Sequence, residues 1–385
     1  MSDEKDGQVF FMRVINVRSK KEMREFVRLP QKIFEGHPCY VPPLWIDEMK
    51  GYSAKTNPML AKADFELLLV LDDDDKAVGR TIVYIDHKFN VFYRSNIGFF
   101  GAFECVDDVL AAGVLIRAAE SWLKEKKVMT IRGPINPVAE SWGFVLEGYD
   151  SPPVFMSPWN PPYYHAFFTD TGYANVKDLL VYDADIKKGY ELPKRLDGFY
   201  EKFASHYPGI NVRRLDVHRL KEDARSIWEI SNIALADNWG FVPVELPVME
   251  DMLRKLKPVV DPDAVWMAEY NGKAIGFCLG FPDINILLKK MGGKLFPFGW
   301  VQLLWGARKL QDYRLFGLAV HPDWQGKALD VLMYINLYKH LSGKRIRLEA
   351  NYILEDNFRI KNALEKLNLQ RIKTYRIYEK SLAEN

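Results

Sequence analysis

The chain has 385 residues and a formal net charge of +2, with 53 Lys and Arg against 51 Asp and Glu. This length exceeds one ordinary domain and suits two, and the near-neutral balance excludes neither enzyme nor binding protein but calls for no obligate nucleic-acid partner. With 48% hydrophobic and 14% aromatic residues, the chain can bury sizeable cores, which excludes global disorder.

The three cysteines, Cys39, Cys105 and Cys278, lie far apart and form no CxxC pair. Scattered cysteines in odd number predict free thiols in a reducing cytoplasm. The polar start of the chain does not read as a secretory signal, and the longest nearly uncharged apolar stretch, about 13 residues, is shorter than the roughly 20 that span a bilayer. Neither the cysteines nor the histidines show a metal-ligand spacing, so we predict no metal site.

Two short patterns recur in the same order and at nearly the same offset. An aromatic-Val-Pro pattern occurs at 40–42 and at 241–243, and a Lys-Ala-x-Gly pattern begins at Lys76 and at Lys273. Each Lys-Ala-x-Gly pattern follows an apolar segment and a polar turn, which is typical of a β-hairpin. The matched pairs favour an internal duplication over chance similarity between two hairpins.

Each half then continues as alternating strands and helices, which predicts an α/β sheet. In the first half we expect a strand at 97–104, a helix at 107–126 capped by Asp107, a strand at 129–132, a helix at 163–173 and a strand at 178–182. In the second half we expect a strand at 315–320, a helix at 328–341, a strand at 345–350, a helix at 357–369 and a strand at 372–378.

The chain therefore divides into an N-terminal domain over 9–186, a linker over 187–211 that holds several Gly and Pro residues, and a C-terminal domain over 212–385. Two long irregular insertions, 133–162 and 284–309, are candidates for functional loops. The second is aromatic and basic. It suits a lid over a lipid-like substrate, a membrane-surface contact, or a packing surface against the other half, which is the interpretation we favour.

The segment from Leu315 to Leu332 joins a strand to a helix through a short Gln-Gly-Lys-Ala loop. Such a loop directs several backbone N–H groups to one side, and together with the helix dipole they form a phosphate cradle. Small side chains there allow close approach to a pyrophosphate.

This segment resembles the acyl-CoA loop of the Gcn5-related N-acetyltransferase (GNAT) superfamily, whose Gln/Arg-x-x-Gly-x-Gly/Ala pattern holds the pyrophosphate of acyl-CoA. Gln325 and Gly326 match its opening, whereas Ala328 replaces the second glycine and Asp330 replaces Gly or Ala. The resemblance implies that acetyl-CoA or another acyl-CoA is the co-substrate. It implies that the loop and the strand before it bind this group through Leu318, Val320, Gln325, Gly326, Lys327 and Ala328.

A second GNAT signature, Asn-x-x-Ala-x-x-x-Tyr-Glu-Lys-Leu-Gly-Phe, resembles 357–369. In the family the Asn contacts the pantetheine region and the Tyr protonates the departing thiolate. The resemblance implies that Asn357 binds the cofactor, but Leu364 occupies the Tyr position. The usual general acid is therefore missing or supplied by another residue, and Tyr352 and Tyr334 are candidates.

Glu349 is the candidate general base. Strand alternation places Arg345, Arg347, Glu349 and Asn351 on one face, and a carboxylate near the opening of a sheet can take a proton from an ammonium group. The alternative is an Arg347–Glu349 ion pair on a solvated face.

The first half resembles the GNAT fold without its acyl-CoA loop, because Asp107 and Asp108 follow the corresponding strand and would repel a pyrophosphate. We predict that CoA binding belongs to the second half alone. The first insertion offers candidate substrate-binding residues; its alternative role is to set turns, cap helices and pack. These candidates are Asn136, Glu140, Asn160, Tyr163 and Tyr164.

The resemblance, to little-characterised bacterial tandem GNAT-like proteins, covers nearly the whole chain. It predicts a mixed-sheet α/β protein of two GNAT-like folds and an acyl-CoA-dependent N-acyltransferase acting on a small-molecule or peptide amine. One alternative is a non-catalytic protein that uses the fold to bind a ligand or partner. Another is a Fem-type transferase that takes an aminoacyl group from tRNA, against which the near-neutral charge argues.

Overall fold

A computed structural model of the chain describes residues 12–138, 141–257 and 260–383, with the backbone alone at 251 and 253–255. The chain divides into two compact units. Unit 1 contains the residues up to Asp178 together with those from Tyr375 onward, and unit 2 contains Leu179–Thr374. The C-terminal segment of the chain therefore completes the unit built by its N-terminal half.

Among its described residues, unit 1 has six strands of its own and five α-helices. The strands are β1 (Arg13–Asn16), β2 (Asp64–Leu71), β3 (Ala77–Ile85), β4 (Ile97–Cys105), β5 (Thr130–Gly133) and β6 (Phe144–Glu147). The helices are α1 (Lys20–Ile33), α2 (Trp45–Gly51), α3 (His87–Tyr93), α4 (Val109–Glu125) and α5 (Tyr164–Thr169). Strand β7 (Ala174–Asp185) begins in this unit and passes Asp178 into unit 2.

Unit 2 contains the remaining strands and helices. The strands are β8 (Ile210–Arg214), β9 (Val265–Tyr270), β10 (Lys273–Pro282), β11 (Asp312–Val320), β12 (Arg347–Leu354) and β13 (Gln370–Ser381), of which β13 continues past Thr374 into unit 1. The helices are α6 (Phe199–His206), α7 (Leu220–Ala234), α8 (Leu246–Leu256), α9 (Asn285–Met291), α10 (Gly299–Ala307), α11 (Leu329–Ser342) and α12 (Phe358–Lys366).

Both units share one strand arrangement. Unit 1 has the order β1-β2-β3-β4-β5-β13, and unit 2 has the order β8-β9-β10-β11-β12-β7. In each unit a hairpin is followed by an antiparallel third strand and a parallel fourth strand, β4 with β5 and β11 with β12. Both predicted hairpins are present; Lys76 lies one residue before β3, and Lys273 is the first residue of β10. The mixed α/β sheets are as the sequence predicts, and the shared order favours the duplication.

A long helix packs on one face of each sheet. Helix α4 buries Ala111, Ala112, Leu115 and Ile116 in the core of unit 1. Helix α11 is lined by buried Leu and Met residues in the core of unit 2. Because small side chains occupy the first turns of α4, this helix lies close to its sheet.

Three sequence expectations differ from the structure. Asp108, not Asp107, caps α4, because the Asp108 carboxylate accepts hydrogen bonds from the N–H groups of Leu110 (2.7 Å) and Ala111 (3.1 Å). Arg345 lies outside β12 and has a left-handed φ of 53°. The segment 187–211, which we expected to be a linker, holds α6 and belongs to unit 2.

None of the described helices is long and apolar enough to cross a membrane. Among the same residues, no group of three or more His, Cys, Asp and Glu side chains is placed to hold a metal ion.

Truncation after Thr374 tests the division into units. It removes the segment that pairs with β5 from Gly133 to Thr130 and carries the buried Tyr378. We expect unit 1 to lose its cooperative unfolding transition in thermal denaturation followed by circular dichroism, because its sheet loses a strand and its core an aromatic side chain. Truncation after Ala383 is the control, and we expect it to unfold like the full chain. Equal melting curves for both truncations would contradict the assignment of the last strand to unit 1.

Candidate active site

The site in unit 2 begins where β11 and β12 separate. Their parallel register runs from the pair Asp312 and Arg347 to the pair Leu315 and Ala350, and ends there. On its other edge β11 has a β-bulge, because Leu315 and Gly317 pair with consecutive residues of β10 and leave Phe316 between them. A bulge bends its strand and increases the local twist. Both strands therefore continue beyond their last pair without each other.

A cavity of about 210 Å³ lies in this gap. Most of its wall is apolar and comes from β11, β12, α11 and α12. The apolar lining residues include Leu315, Phe316, Leu318, Val331, Ile353, Leu354, Ile360, Leu364 and Leu367. The polar ones are Asn238, Asp330, Tyr334, Asn351, Tyr352 and Asn357. Such a wall suits an extended, largely apolar ligand with a few polar groups.

The predicted phosphate loop lies at the end of β11. Gly326 has a φ of 76°, and a Cβ placed on it would meet no atom within 4 Å. Ala328 has a φ of 60° and precedes α11, whose first-turn amides have no intrahelical acceptor. No described acceptor receives a hydrogen bond from the backbone amides of residues 326–331. These amides are available to an anion.

Side chains around this loop add two positive charges. Arg359 donates from Nη1 to Oε1 of Gln325 at 3.1 Å, and Gln325 donates from Nε2 to the carbonyl of Val320 at 3.2 Å. The Lys327 ammonium lies 4.7 Å from the ring centroid of Trp324. Amides and cations fit a pyrophosphate, whereas the carboxylate of Asp330 on the cavity wall opposes one.

The other predicted cofactor residues divide between the wall and its support. Leu318 lines the cavity. Asn357 also lines it, but its side-chain oxygen accepts a hydrogen bond from the N–H of Ile360 at 3.2 Å and so caps α12. Val320 is not on the wall and contributes its carbonyl to Gln325. Asn357 therefore has a structural role that its motif position alone does not reveal.

Leu364 and two tyrosines lie on the same cavity wall. Tyr334 is buried and hydrogen-bonded to Tyr190 (3.2 Å), whose own hydroxyl donates to the carbonyl of Leu367 (2.9 Å). Burial raises the pKa of Tyr334 well above its ordinary value, so its hydroxyl stays protonated. The Tyr352 ring centroid lies 5.1 Å from the guanidinium carbon of Arg314. Tyr352 is therefore placed on the cavity wall with a cation over its ring.

Glu349, the candidate base, is fully buried and is not on the cavity wall. Its carboxylate accepts hydrogen bonds from Nη2 of Arg347 (2.8 Å) and from Nδ2 of Asn351 (3.1 Å). Burial raises its pKa, while the nearby Arg347, Lys373 and Arg314 act against that rise. The Arg347–Glu349 ion pair exists, but on a buried face and not the solvated face that we expected.

The ion pair belongs to a row of charges across three strands. Arg314 of β11 is in register with Glu349 of β12, which is in register with Asp183 of β7. Arg347 donates from Nε to Asp183 at 3.2 Å. The sequence analysis missed Arg314 and Asp183. The available signal was a charged residue at alternate positions of otherwise apolar strands.

The predicted substrate residues belong to unit 1, and their side chains hold the first insertion in place. Asn160 is buried and its Oδ1 accepts a hydrogen bond from the N–H of Val145 at 2.6 Å. Tyr164 accepts from the N–H of Cys105 (2.8 Å) and donates to Glu104 Oε2 (3.0 Å). Tyr163 donates to the carbonyl of Cys105 at 2.9 Å. Asn136 Oδ1 accepts from the N–H of Val138 at 3.1 Å. Glu140 lies outside the described residues.

The corresponding gap in unit 1 is filled by the same insertion. The parallel register of β4 and β5 ends at Phe99 and Arg132. Beyond it, the N–H of Ile135 donates to the carbonyl of Phe100 at 2.8 Å. A Cβ on Gly101 would lie 2.5 Å from the carbonyl oxygen of Ile135. The insertion therefore occupies, in unit 1, the place that is a cavity in unit 2.

No model of a known protein family matches the chain. The protein named "Bacterial ceramide synthase" from Caulobacter vibrioides is 30% identical over 378 residues, 96% of this chain and 97% of that protein. Protein YghO from Escherichia coli is 30% identical over 375 residues, 94% of each chain. This chain belongs to the family of these two bacterial proteins. In this ceramide synthase/YghO family, sequence similarity extends over both units.

Solved structures show the fold of this family member. A GCN5-related N-acetyltransferase from Sphaerobacter thermophilus has a TM-score of 0.55 at 12% identity and covers 98% of this chain and 96% of its own. A tandem GNAT protein of the clavulanic acid biosynthesis pathway has a TM-score of 0.55 at 11% identity and covers 97% of this chain and 100% of its own. The fold is that of the GNAT superfamily, as the sequence motifs indicated.

Glu104 gives a test of the closed gap in unit 1. Burial raises its pKa to about 7, against opposing effects of Arg80 and the Tyr164 hydrogen bond. Because the folded carboxyl holds its proton to higher pH than the unfolded one, stability falls as pH rises from about 5 to 8. We expect Glu104→Gln to reduce this loss in the free energy of unfolding by about 1 to 3 kcal/mol, since one pKa unit corresponds to about 1.4 kcal/mol. Urea unfolding across this range measures it.

The control is Asp74→Asn, in the exposed turn between β2 and β3. We expect this variant to keep the pH dependence of the native chain. An unchanged slope in Glu104→Gln would show that this carboxyl is not the buried titrating group.

Proposed function

We propose that this protein is an acyl-CoA-dependent N-acyltransferase whose acceptor is the amino group of a long-chain amino alcohol. The product would be an amide of the ceramide class. The name of the Caulobacter relative supports the class of product, since a ceramide is a fatty acid joined through an amide to a long-chain amino alcohol. The GNAT fold supports acyl transfer.

The observation that carries the proposal is the open, mostly apolar cavity between β11 and β12 next to unpaired loop amides. The amides of residues 326–331, with Lys327 and Arg359, would hold the pyrophosphate of acyl-CoA. The apolar wall would receive the pantetheine arm and the acyl chain. In unit 1 the corresponding gap is filled, so the acyl donor belongs to unit 2.

The reaction forms a C–N and an S–H bond and breaks a C–S and an N–H bond. The neutral amine attacks the thioester carbonyl carbon, the C–N bond forms and the C–S bond breaks. The nitrogen gives up one proton to solvent, and CoA leaves as a thiol after gaining one. Backbone N–H groups on the unpaired edge of β11 would polarise the carbonyl oxygen. We propose Tyr352 as the proton donor, because Arg314 lies beside its ring. Glu349 would reach the amine only through Asn351, which is on the wall, and so serves as a positioning residue.

A cytoplasmic location is part of the proposal, in line with three buried cysteines that form no disulfide with a described residue. The alternative is a non-catalytic acyl-CoA-binding protein. It is favoured by Leu364 in place of the family's acid and by the Asp330 carboxylate on the cavity wall.

The first test combines binding with product formation. The purified protein is incubated with acyl-CoA of increasing chain length and sphinganine, and the amide is detected by mass spectrometry. We expect the native chain to form the amide and to be stabilised against heat by millimolar acyl-CoA. Gly326→Val is expected to lose both, because a β-branched residue at a φ of 76° forces the loop to change shape.

Gly189→Val is the matched control, since Gly189 is also in unit 2, has a φ of 90° and has no atom within 4 Å of a placed Cβ. It imposes similar strain away from the loop and should retain acyl-CoA binding. Normal binding by Gly326→Val would disprove the loop assignment. Binding by the native chain without any amide product would establish the non-catalytic alternative.

A second test concerns the proton donor. A thiol leaving group with a pKa near 8.5 departs with little help, so we expect Tyr352→Phe to lower kcat by about tenfold, less than the usual effect of a general acid. KM should change little, and the loss should shrink as the pH approaches the thiol pKa. Tyr334→Phe is the control, because its hydroxyl is committed to Tyr190, and its kcat should stay near native. A larger loss in Tyr334→Phe would reassign the donor.

A further inference from the structure

The segment 284–311 of unit 2, which contains α9 and α10, has an unusual composition. It carries five basic residues and no Asp or Glu. The basic residues are Lys289, Lys290, Lys294, Arg308 and Lys309. Four large aromatic side chains, Phe296, Phe298, Trp300 and Trp305, lie among them. Cationic and aromatic residues without acidic ones are the composition of a surface that meets anionic lipid.

Helix α10 packs on α9 through its glycines. A Cβ on Gly306 would lie 2.8 Å from the side chain of Leu287. A Cβ on Gly299 would overlap the carbonyl oxygen of Lys294 and would lie 3.2 Å from the sulfur of Met291. Glycine is therefore required on the inner face, where the two helices are in close contact. The larger residues of α10 consequently occupy its other face.

The turn before α10 and the other face of the helix expose an unusually large apolar surface to solvent. Phe296 is 66% exposed, Phe298 is 73% exposed and Trp305 is 75% exposed, with Trp300 and Leu304 also exposed. Concentrated apolar surface of this kind, rimmed by polar residues, marks an interaction site. Tryptophan with lysine and arginine at its edge is the combination that prefers the membrane–water interface.

The charges of the segment favour an anionic partner. Lys290, Lys294, Arg308 and Lys309 are exposed, and none of them forms an ion pair with a described residue. Clustered cations without neighbouring carboxylates are attracted to the negative surface of a bilayer and much less to a neutral one. A second copy of the chain would bring the same cations face to face.

We propose that the 284–311 segment docks unit 2 on the surface of an anionic phospholipid bilayer, with its exposed aromatic side chains inserted at the level of the headgroups. The inference goes beyond the proposed function and does not rest on it, since it follows from the exposure, charge and packing of α9 and α10 alone.

Vesicle flotation of the full chain, without acyl-CoA or acceptor, tests the proposal. Vesicles contain phosphatidylcholine alone or with about 30 mol% phosphatidylglycerol. We expect the chain to float with the anionic vesicles, to bind neutral ones at least about tenfold more weakly, and to be released as salt is raised toward about 0.5 M. Quenching of tryptophan fluorescence by brominated lipid should accompany binding.

Two matched pairs of variants locate the surface. Phe298→Ser with Trp305→Ser should weaken binding at least about tenfold, whereas Phe358→Ser, at a site 66% exposed like Phe296, should leave it unchanged. Lys290→Glu with Lys294→Glu should abolish the preference for anionic vesicles. Lys20→Glu with Lys21→Glu changes the net charge equally at an exposed site of α1, and should retain that preference.

Three outcomes would overturn the docking proposal. The first is a native chain that fails to float with anionic vesicles at low salt, and the second is equal binding by each variant and its control. The third is a shift from dimer to monomer in Phe298→Ser with Trp305→Ser, measured by light scattering, without any change in vesicle binding. A chain that forms the amide in detergent-free solution but does not bind vesicles would contradict only the docking proposal. The proposed function would remain supported.

Discussion

The separation of β11 from β12 after Leu315 is the constraint on which the site depends. Paired parallel strands leave no space between them, so a ligand can enter the sheet only where the pairing stops. The bulge at Phe316 turns β11 away at this point while its other edge stays paired with β10. The cavity and the unpaired strand edge are both consequences of this one irregularity. The loop at 325–328, which we propose as the phosphate site, lies shortly after β11 and therefore next to this cavity.

Unit 1 shows how the same constraint is met without a ligand. Its parallel pair also stops early, at Phe99 and Arg132, and this leaves backbone groups that need partners. The first insertion supplies them from within the chain, through the N–H of Ile135 and the close approach over Gly101. A gap filled by the chain's own backbone is not available to a ligand. One strand arrangement thus gives a site in unit 2 and a filled core in unit 1.

Sequence reasoning predicted the elements whose signals are local. The hairpin turns are recognisable because Asp72 and Asn271-Gly272 suit tight turns, and the loop at Gln325 follows from a short motif. The pairing of β13 with β5 could not be predicted from the sequence, because no local signal connects residues so distant in the chain. The predicted N-cap of α4 was wrong by one residue, because both Asp107 and Asp108 suit an N-cap and only the backbone conformation distinguishes them.

The candidate site was predictable in part for the same reason. Alternation correctly placed Arg347, Glu349 and Asn351 on one face, but it could not tell a buried face from a solvated one, because burial depends on what the rest of the chain places there. Asn160 and Tyr164 suggested a polar pocket. Residue type alone cannot show whether a buried amide or phenol is hydrogen-bonded to the backbone or to a substrate.

The buried row of Arg314, Glu349 and Asp183 explains why this face of the sheet carries charge at all. Charges removed from water cost more than their pairing returns, and apolar residues of similar size would often be more stable. A contribution to stability therefore explains this row poorly. A role in positioning neighbouring side chains explains it better. Glu349 fixes Asn351, and Arg314 lies against Tyr352, so both polar residues on this side of the cavity are set by the charges behind them. In a wall that is otherwise apolar, the buried row of charges thus keeps a few polar groups at fixed places while the rest of the surface stays apolar.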